Sequence, residues 1–436
     1  MTLMSERPVE QVAVPGDAAT HLEPLVRAML GHASPVRFEL WDGSSFGASG
    51  GGTIRVNSAM AVRRLLWAPG ELGLARAFVA GDMDIDGDIF VVLDALAPHA
   101  RRVGRGRITQ ALPAALLAAR RLGIVGGAPK PPPEEHVRVV ARRHSKRRDA
   151  DAIAHHYDVG NDFYRIVLGE AMTYSCARFV TPSTSLAEAQ AAKHELVCRK
   201  LGLHERPGMR LLDVGCGWGS MAMHAAEHHG ARVVGVTISK EQVALARQRV
   251  AAAGLADRVE IRLQDYRDLG GETFDAISSI GMFEHVGASR TAEYFEVLHR
   301  LLMPRGRLLN HAISHPGNSR LRTRTFIGRY VFPDGELLDV GRTAFAMQRA
   351  GFELRDVEQL REHYGLTLRS WVANLEAGWS DAVALVGEGR ARVWRLYMAA
   401  SALSFEAGMI GVHQTLGVKP SADGRSGMPP TRAGWD

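Results

Sequence analysis

The chain has 436 residues, 46% hydrophobic and 23% charged, and 53 Lys and Arg against 47 Asp and Glu give a formal net charge of +6. That length exceeds one ordinary core and predicts two domains, and the composition excludes disordered and fibrous classes. Its three cysteines, Cys176, Cys198 and Cys216, are too few for a disulfide framework and point to a reducing compartment; no metal-ligand spacing joins them, so no metal site is expected.

The opening stretch, MTLMSERPVEQVAVPGD, has acidic groups and no apolar h-region, so no signal peptide is expected. No stretch reaches the roughly 18 to 20 apolar residues that span a bilayer. The expectation is a cytoplasmic protein, bound at most to a membrane surface. Residues 38–88 read as short strands between Gly, Asp and Ser turns, with a short helix near Glu71–Ala80. The Asp82–Val91 segment carries no catalytic constellation, which leaves it a substrate-holding or structural role. Arg101, Arg102, Arg105 and Arg107 precede an apolar stretch, Ala111–Ala119, closed by Arg120 and Arg121. This pattern predicts a basic amphipathic helix with Pro113 near its start, suited to anionic lipid or to a solvated linker face. Gly126–Gly127 and Pro131–Pro133 interrupt regular structure and mark a linker. The predicted division is a smaller N-terminal α+β domain over 1–130, a basic linker over 131–150 and a second domain over 151–436.

In the second domain strand and helix alternate. Strands are predicted at Arg210–Val214, Ala231–Thr237, Val259–Leu263, Phe274–Ile280 and Arg307–Ile313. Helices are predicted to about His229, over Lys240–Ala253 and over roughly Ser289–Leu302. This order implies a parallel sheet with helices on both faces, a doubly wound α/β domain. Beyond about residue 315 the alternation gives way to helix-rich sequence, read as a lid, over about 315–425, above the carboxyl ends of the strands.

Gly215, Gly217 and Gly219 alternate with Cys216 and Trp218 where the first strand turns into its helix. Glycines there permit the turn and let a ligand approach the backbone. Asp213 precedes the loop, and residue 220 is Ser, so the dinucleotide pattern G-x-G-x-x-G is not met. The second strand ends VVGVTIS, without the acidic residue a dinucleotide site usually carries. S-adenosylmethionine (SAM) is therefore favoured over a nicotinamide cofactor. The implied fold is a Rossmann-like class I SAM-dependent methyltransferase domain.

At this point a family resemblance enters. The segments HHYDVGNDFY (155–164), MTYSCARF (172–179), LLDVGCGWG (211–219), GVTISKEQ (235–242), SIGMFEHVG (279–287), FIGRYVFPDGEL (326–337) and HYGLTLRSW (363–371) resemble, in this order, cyclopropane-fatty-acyl-phospholipid synthases and the related mycolic acid methyltransferases. The resemblance runs from about His155 to Pro420. It implies that Tyr174 and Ser175 close over the methionine part of SAM and that the Gly215–Gly219 loop lies under it. It further implies that Thr237 to Gln242 meet the ribose, with Gln242 in place of the usual acid, and that Gln264 and Asp265 flank the adenine.

An alkene is a poor nucleophile, so a sulfonium methyl has to be held in line with it, dry and close. Methyl transfer leaves a carbocation on the acyl chain. Loss of a proton from the new methyl closes a cyclopropane ring; a hydride shift before proton loss gives an exocyclic methylene instead. The resemblance implies a bound bicarbonate as base, held by Glu284, His311, Tyr364 and the backbones of Cys176 and Ile313. Amide, imidazole and phenol groups donate to an oxyanion, while a carboxylate holds its O–H or accepts its proton. Glu284 and His311 are read as lying just past strand ends, where α/β sheets place ligands. Each has a plainer alternative: a helix-terminal acid for Glu284, a core histidine for His311, packed aromatics for Tyr364 and Tyr174. Cys176 as a nucleophile is disfavoured, since no histidine lies near it in sequence. Ser401 stands where some family members carry a cysteine; either that cysteine is dispensable, the favoured reading, or this chain has altered chemistry.

The basic balance calls for an anionic partner, nucleic acid or acidic lipid. No Asn/Asp-Pro-Pro-aromatic motif follows the fourth strand and no aromatic-basic ribbon is present, so nucleic acid is not expected. The expected partners are an unsaturated phospholipid acyl chain and an anionic membrane surface, the second contact with the membrane coming from another basic face or from a homodimer. Rival readings are a small-molecule methyltransferase and a lipid-binding protein without turnover. The long N-terminal part and the Arg- and Ala-rich composition resemble actinobacterial members of the family. Some of those make methylene-branched chains, precursors of tuberculostearic acid.

Overall fold

The computed structural model describes residues 16–30, 33–100, 105–124, 126–135, 159–316, 325–332 and 335–435. Arg101, Arg102, the side chains of Arg105 and Arg107, the basic run at 136–148 and residues 155–158 lie outside the description. The chain forms two compact units, Met1–Glu135 and His136–Asp436.

The first unit is α+β. Its strands are β1 (Arg37–Glu39), β2 (Ser45–Phe46), β3 (Thr53–Val56) and β4 (Met83–Asp86), in the order β2-β1-β3-β4. β1 and β3 run parallel, and the two outer pairs are antiparallel. Ile54 and Val56 are buried while Arg55 between them is exposed, the alternation of a sheet with one dry face. The helix predicted near Glu71–Ala80 is present as Glu71–Val79. Arg76 binds Glu135 through two bonds of 2.6 and 2.7 Å, and Arg63 and Trp67 donate to the carbonyls of Gly127 and Gly126. Residues 126–135 are thereby held on the first unit.

One local expectation is corrected. The helix carrying Pro113 runs Arg105–Arg121, so Pro113 lies in its interior and not near its start. The helix begins at Arg105, upstream of the apolar stretch, of which Ala118 and Ala119 are buried and Leu116 and Leu117 exposed. Proline removes one backbone bond there.

The second unit is built on seven strands: β5 (Arg210–Val214), β6 (Arg232–Thr237), β7 (Val259–Leu263), β8 (Phe274–Ile280), β9 (Leu302–Ser314), β10 (Glu353–Gln359) and β11 (Gly411–Val418), in the order β10-β11-β9-β8-β5-β6-β7. β9, β8, β5, β6 and β7 are mutually parallel; Leu212 sits opposite Val234 on one side and Ile277 on the other. Four of the five residues of β5 are buried, as expected of a strand covered on both faces. Leu211, Val233 and Ile261 enter one apolar core with the helices Leu186–Leu201 and Ser220–His229; Leu212, Val234 and Ile277 enter the other with Thr291–Leu301. The predicted bounds of β5, β7 and β8 match those observed.

The helix-rich reading beyond 315 is corrected in part. The helices Val340–Arg349, Arg361–Ala377, Trp379–Val386 and Glu388–Glu406 are present, but β10 and β11 return the chain to the sheet, where β11 pairs antiparallel with both β9 and β10. β11 reads GVHQTLGV, whose polar and glycine positions hide a strand buried by its neighbours. The last three helices pack as a cap with Asn161–Leu168, Trp394 meeting both Phe163 and Tyr164 at 5.4 Å. Among the described residues no helix is long and apolar enough to cross a membrane.

Candidate active site

A cleft lies at the carboxyl ends of β5, β6, β7 and β8, where open parallel sheets place ligands. Its floor is the loop after β5. Gly215, Gly217 and Gly219 take φ of 75°, 54° and 83°, a left-handed backbone that favours glycine. A Cβ on Gly215 would also lie 3.1 Å from Met282. The loop opens directly into the helix Ser220–His229; the Gly215 and Cys216 amides donate to the Val236 carbonyl and the Gly219 amide to the Cys216 carbonyl, which holds the loop's path beneath the cleft. Gly219 caps that helix and is the one loop glycine that does not line the cleft.

Asp213, the penultimate residue of β5, lies just before the loop and is 2% exposed. Ser278 Oγ donates to its Oδ1 at 2.7 Å, while Oδ2 has no partner. Burial pushes its carboxyl up to about 6, against the lowering effects of Ser278 and of the nearby Lys193 ammonium. Lys193 is buried as well, and burial brings its ammonium down to about 8. Its Nζ donates to Ser175 Oγ at 3.0 Å, and Gln190 Nε2 donates to the Ser175 carbonyl at 2.8 Å. Sequence reasoning missed Lys193 and Gln190. Their signal is the placement of polar groups at buried positions of the helix Leu186–Leu201, spaced i, i+3 on one face.

On the far side of the cleft, Thr237 Oγ1 donates to Gln242 Oε1 at 2.7 Å, which leaves the Gln242 amide protons for a ligand. Gln264 follows β7 and donates through Nε2 to the Asp268 carbonyl. Asp265 takes Arg267 Nε at 2.9 Å and Nη2 at 2.6 Å, so its carboxylate is already paired. Gln242, Gln264 and Asp265 all line the cleft.

Tyr174 and Ser175 form the wall beneath the cap. The Tyr174 ring lies 5.2 Å from Trp371 and 5.8 Å from Trp394, and its hydroxyl donates to Tyr397 Oη at 3.2 Å. Tyr174 is therefore both a packed aromatic and a lining residue of the cleft. Tyr397, which sequence reasoning missed, joins the Glu388–Glu406 helix to this wall; Ser401 is one turn further along the same helix.

Glu284 lies just past β8 in a short 3-10 turn. Its Oε1 accepts the Ile313 amide at 2.7 Å and its Oε2 has no partner. Burial raises its carboxyl to about 7, with the Ile313 amide acting against this. His311 is corrected in position: it lies within β9, between Ile280 of β8 and Gln414 of β11, because β11 extends the pairing of β9 to Ser314. Gln414 Nε2 lies 3.4 Å from His311 Nδ1, and the other ring nitrogen, Nε2, has no partner. Burial first, then the charges of Lys193 and Lys200, hold this imidazole neutral. Cys176 is fully buried, its thiol facing the Leu360 carbonyl, and burial pushes that thiol upward, away from a reactive thiolate. Tyr364 packs on Phe405 at 4.5 Å and stands 6.1 Å from Trp371, itself against Tyr174.

The unpartnered Asp213 Oδ2, the free amide protons of Gln242 and the left-handed glycine loop fit a ligand with a cationic amine, a ribose and a carboxylate, as in SAM. Residues 144–415 match the family described as mycolic acid cyclopropane synthetase. The chain is 42% identical over 410 residues to a Mycobacterium tuberculosis protein named probable fatty acid methyltransferase, covering 91% of this chain and 93% of that one. It is 35% identical over 395 residues to the tuberculostearic acid methyltransferase of the same organism, covering 87% of each. A solved mycolic acid cyclopropane synthase, complexed with SAH and CTAB, superposes with a TM-score of 0.57 at 36% identity, over 62% of this chain and 98% of that one.

Proposed function

The chain belongs to the mycolic acid cyclopropane synthetase family and is a SAM-dependent methyltransferase; from that premise we propose that it methylates the double bond of an unsaturated phospholipid acyl chain and releases a cyclopropane fatty acyl product. The observation that carries this reading is the buried pair Glu284 Oε2 and His311 Nε2, both unpartnered and linked through two successive alternate positions of β9. A methyl transfer to oxygen or nitrogen sheds an acidic proton easily. Transfer to an alkene makes a carbocation whose C–H proton has to be taken in a dry site, and these two groups provide such a place.

In this reading Asp213 receives the amine of SAM, the Gly215–Gly219 loop and Ser175 flank its methionine part, Thr237 and Gln242 meet the ribose, and Gln264 and Asp265 border the adenine. SAM supplies an electrophilic methyl. Tyr174, held by Trp371, Trp394 and Tyr397, keeps water from the reacting carbons. The new C–C bond consumes the π pair and leaves the neighbouring carbon cationic; loss of a proton from the new methyl then closes the ring. Glu284, His311 and Tyr364, with the Cys176 backbone, form the cradle for a bicarbonate, which would supply the base. The Ile313 amide already serves Glu284, so its part is to fix that carboxylate.

The substrate calls for a protein that works in the cytoplasm at an anionic membrane surface. Leu116 and Leu117 are each 51% exposed beside Arg120 and Arg121, on the helix read as the lipid contact. A homodimer would double that contact. A second reading keeps the same transfer and ends in a methylene-branched chain. It draws on the likeness to the tuberculostearic acid methyltransferase, which extends over the N-terminal unit, whereas the family match covers 144–415. Gas chromatography of the methylated acyl chains from vesicle incubations separates the two: a ring product supports the first reading, a methylene product the second.

A further inference from the structure

Away from the reacting groups, the helices Leu186–Leu201 and Ser220–His229 bring together Cys198, His224 and His229. The Cys198 sulfur and one ring nitrogen of each histidine lie within 4.8 Å of one another. Glu195, one turn before Cys198, faces the same space. Its Oε2 is 2.9 Å from His229 Nε2 and 3.3 Å from His224 Nε2, while its Oε1 is taken by Arg199 at 2.6 Å. The Cys198 side chain is fully buried, and the His224 and His229 side chains are 12% and 7% exposed.

We propose that Cys198, His224, His229 and Glu195 form a binding site for a zinc-class divalent metal ion, which staples the two helices together. Thiolate, two imidazoles and a carboxylate are the donor types zinc takes. Around a tetrahedral ion with bonds of about 2.0 to 2.3 Å, donors stand roughly 3.3 to 3.6 Å apart, so the Cys198, His224 and His229 donors close onto a metal with shifts of about an ångström, and Glu195 Oε2, which already touches both imidazoles, is the fourth donor beside them. Binding releases the thiol proton of Cys198, while each neutral imidazole gives the metal the nitrogen that now faces the cluster and carries its one ring proton on the other nitrogen. Arg199 fixes the carboxylate from behind, the usual arrangement of an outer partner on a metal ligand. No sequence spacing announces this site, because the ligands come from two helices separated by β5 and join only in the fold.

The staple bears on the cofactor cleft. Helix Leu186–Leu201 carries Lys193 and His194 into its lining, and helix Ser220–His229 carries Ser220 and Met221. The His194 ring lies 5.6 Å from that of His224. A metal bound between these helices fixes their relative position, and SAM binding is then coupled to metal occupancy.

The test uses the full chain without a histidine tag, freed of metal by chelator and titrated with cobalt(II) and then zinc. The expected result is one metal per chain, with the visible bands of tetrahedral cobalt and a near-ultraviolet thiolate band that zinc bleaches. Cys198→Ser should lose the thiolate band, His224→Ala with His229→Ala should lose the site, and Glu195→Gln should weaken it about 10- to 100-fold. Metal-free chain should bind SAM more weakly than the loaded chain. A featureless cobalt spectrum of the unmodified chain, or one that Cys198→Ser leaves unchanged while the variant is folded by circular dichroism, overturns the proposal and leaves a hydrogen-bonded His–Glu cluster.

Discussion

The Ile313 amide donates to Glu284 Oε1 at 2.7 Å, and this one bond leaves the other carboxylate oxygen buried without a partner. Glu284 comes from the turn after β8 and Ile313 from β9, so the parallel pairing of these strands fixes the carboxylate. A carboxyl held at about 7 by burial is half ionised near neutrality, where a group that has to exchange protons is most useful.

Glu284→Gln keeps an acceptor for Ile313 and loses the proton-accepting charge. We expect turnover to fall about 10²- to 10⁴-fold, with SAM affinity unchanged by calorimetry. The unmodified enzyme needs the ionised form, so its kcat/KM rises with pH through about 7, and this limb should be absent from the residual activity of the variant. A limb of the same midpoint in Glu284→Gln would assign it to another group.

Asp213→Asn retains the acceptor for Ser278 and removes the charge beneath the glycine loop. A hydrogen bond to a charged group is worth roughly 1.5 to 3 kcal/mol, so SAM affinity should drop by about 10- to 100-fold in isothermal titration. An unchanged affinity would place the amine of SAM elsewhere.

Leu116→Glu combined with Leu117→Glu changes two exposed leucines and should leave folding intact. Burying each leucine in lipid contributes about 1.5 to 3 kcal/mol, so the double variant should lose at least about tenfold in sedimentation with anionic vesicles. Equal binding by variant and parent would remove this helix from the membrane contact.

Ser185 caps the helix Leu186–Leu201 in a capping box with Glu188. Ser185→Ala should lower the stability of the second unit by about 1 kcal/mol, read as a smaller urea midpoint for its transition. Activity under native conditions should be unaffected, since the cap does not line the cleft.

The sheet that carries the cleft was legible where strands are buried on both faces, as RLLDV and FDAISSI, and at its edge where VEIRL alternates buried Val259 and Ile261 with exposed Glu260, each a short run bounded by turn residues. The glycine loop was legible because left-handed backbone demands its residue type. β10 and β11 were hidden, since ELRDVEQ and GVHQTLGV carry polar groups whose burial depends on partners far along the chain. Gln414, which orients His311, was lost with β11. Lys193 and Tyr397 sit in helices whose local pattern says only that they are helices; that they meet Ser175 and Tyr174 is a property of tertiary packing.

The most direct test incubates the full chain with vesicles of oleoyl phosphatidylglycerol and SAM whose transferred methyl is trideuterated, followed by mass spectrometry of the acyl chains. The account predicts a chain heavier by one methylene that carries two of the three deuteriums, the third lost as the proton taken from the new methyl. No incorporation by a chain that still binds SAM would contradict it, and would redirect the site to a small-molecule acceptor or to lipid binding without turnover.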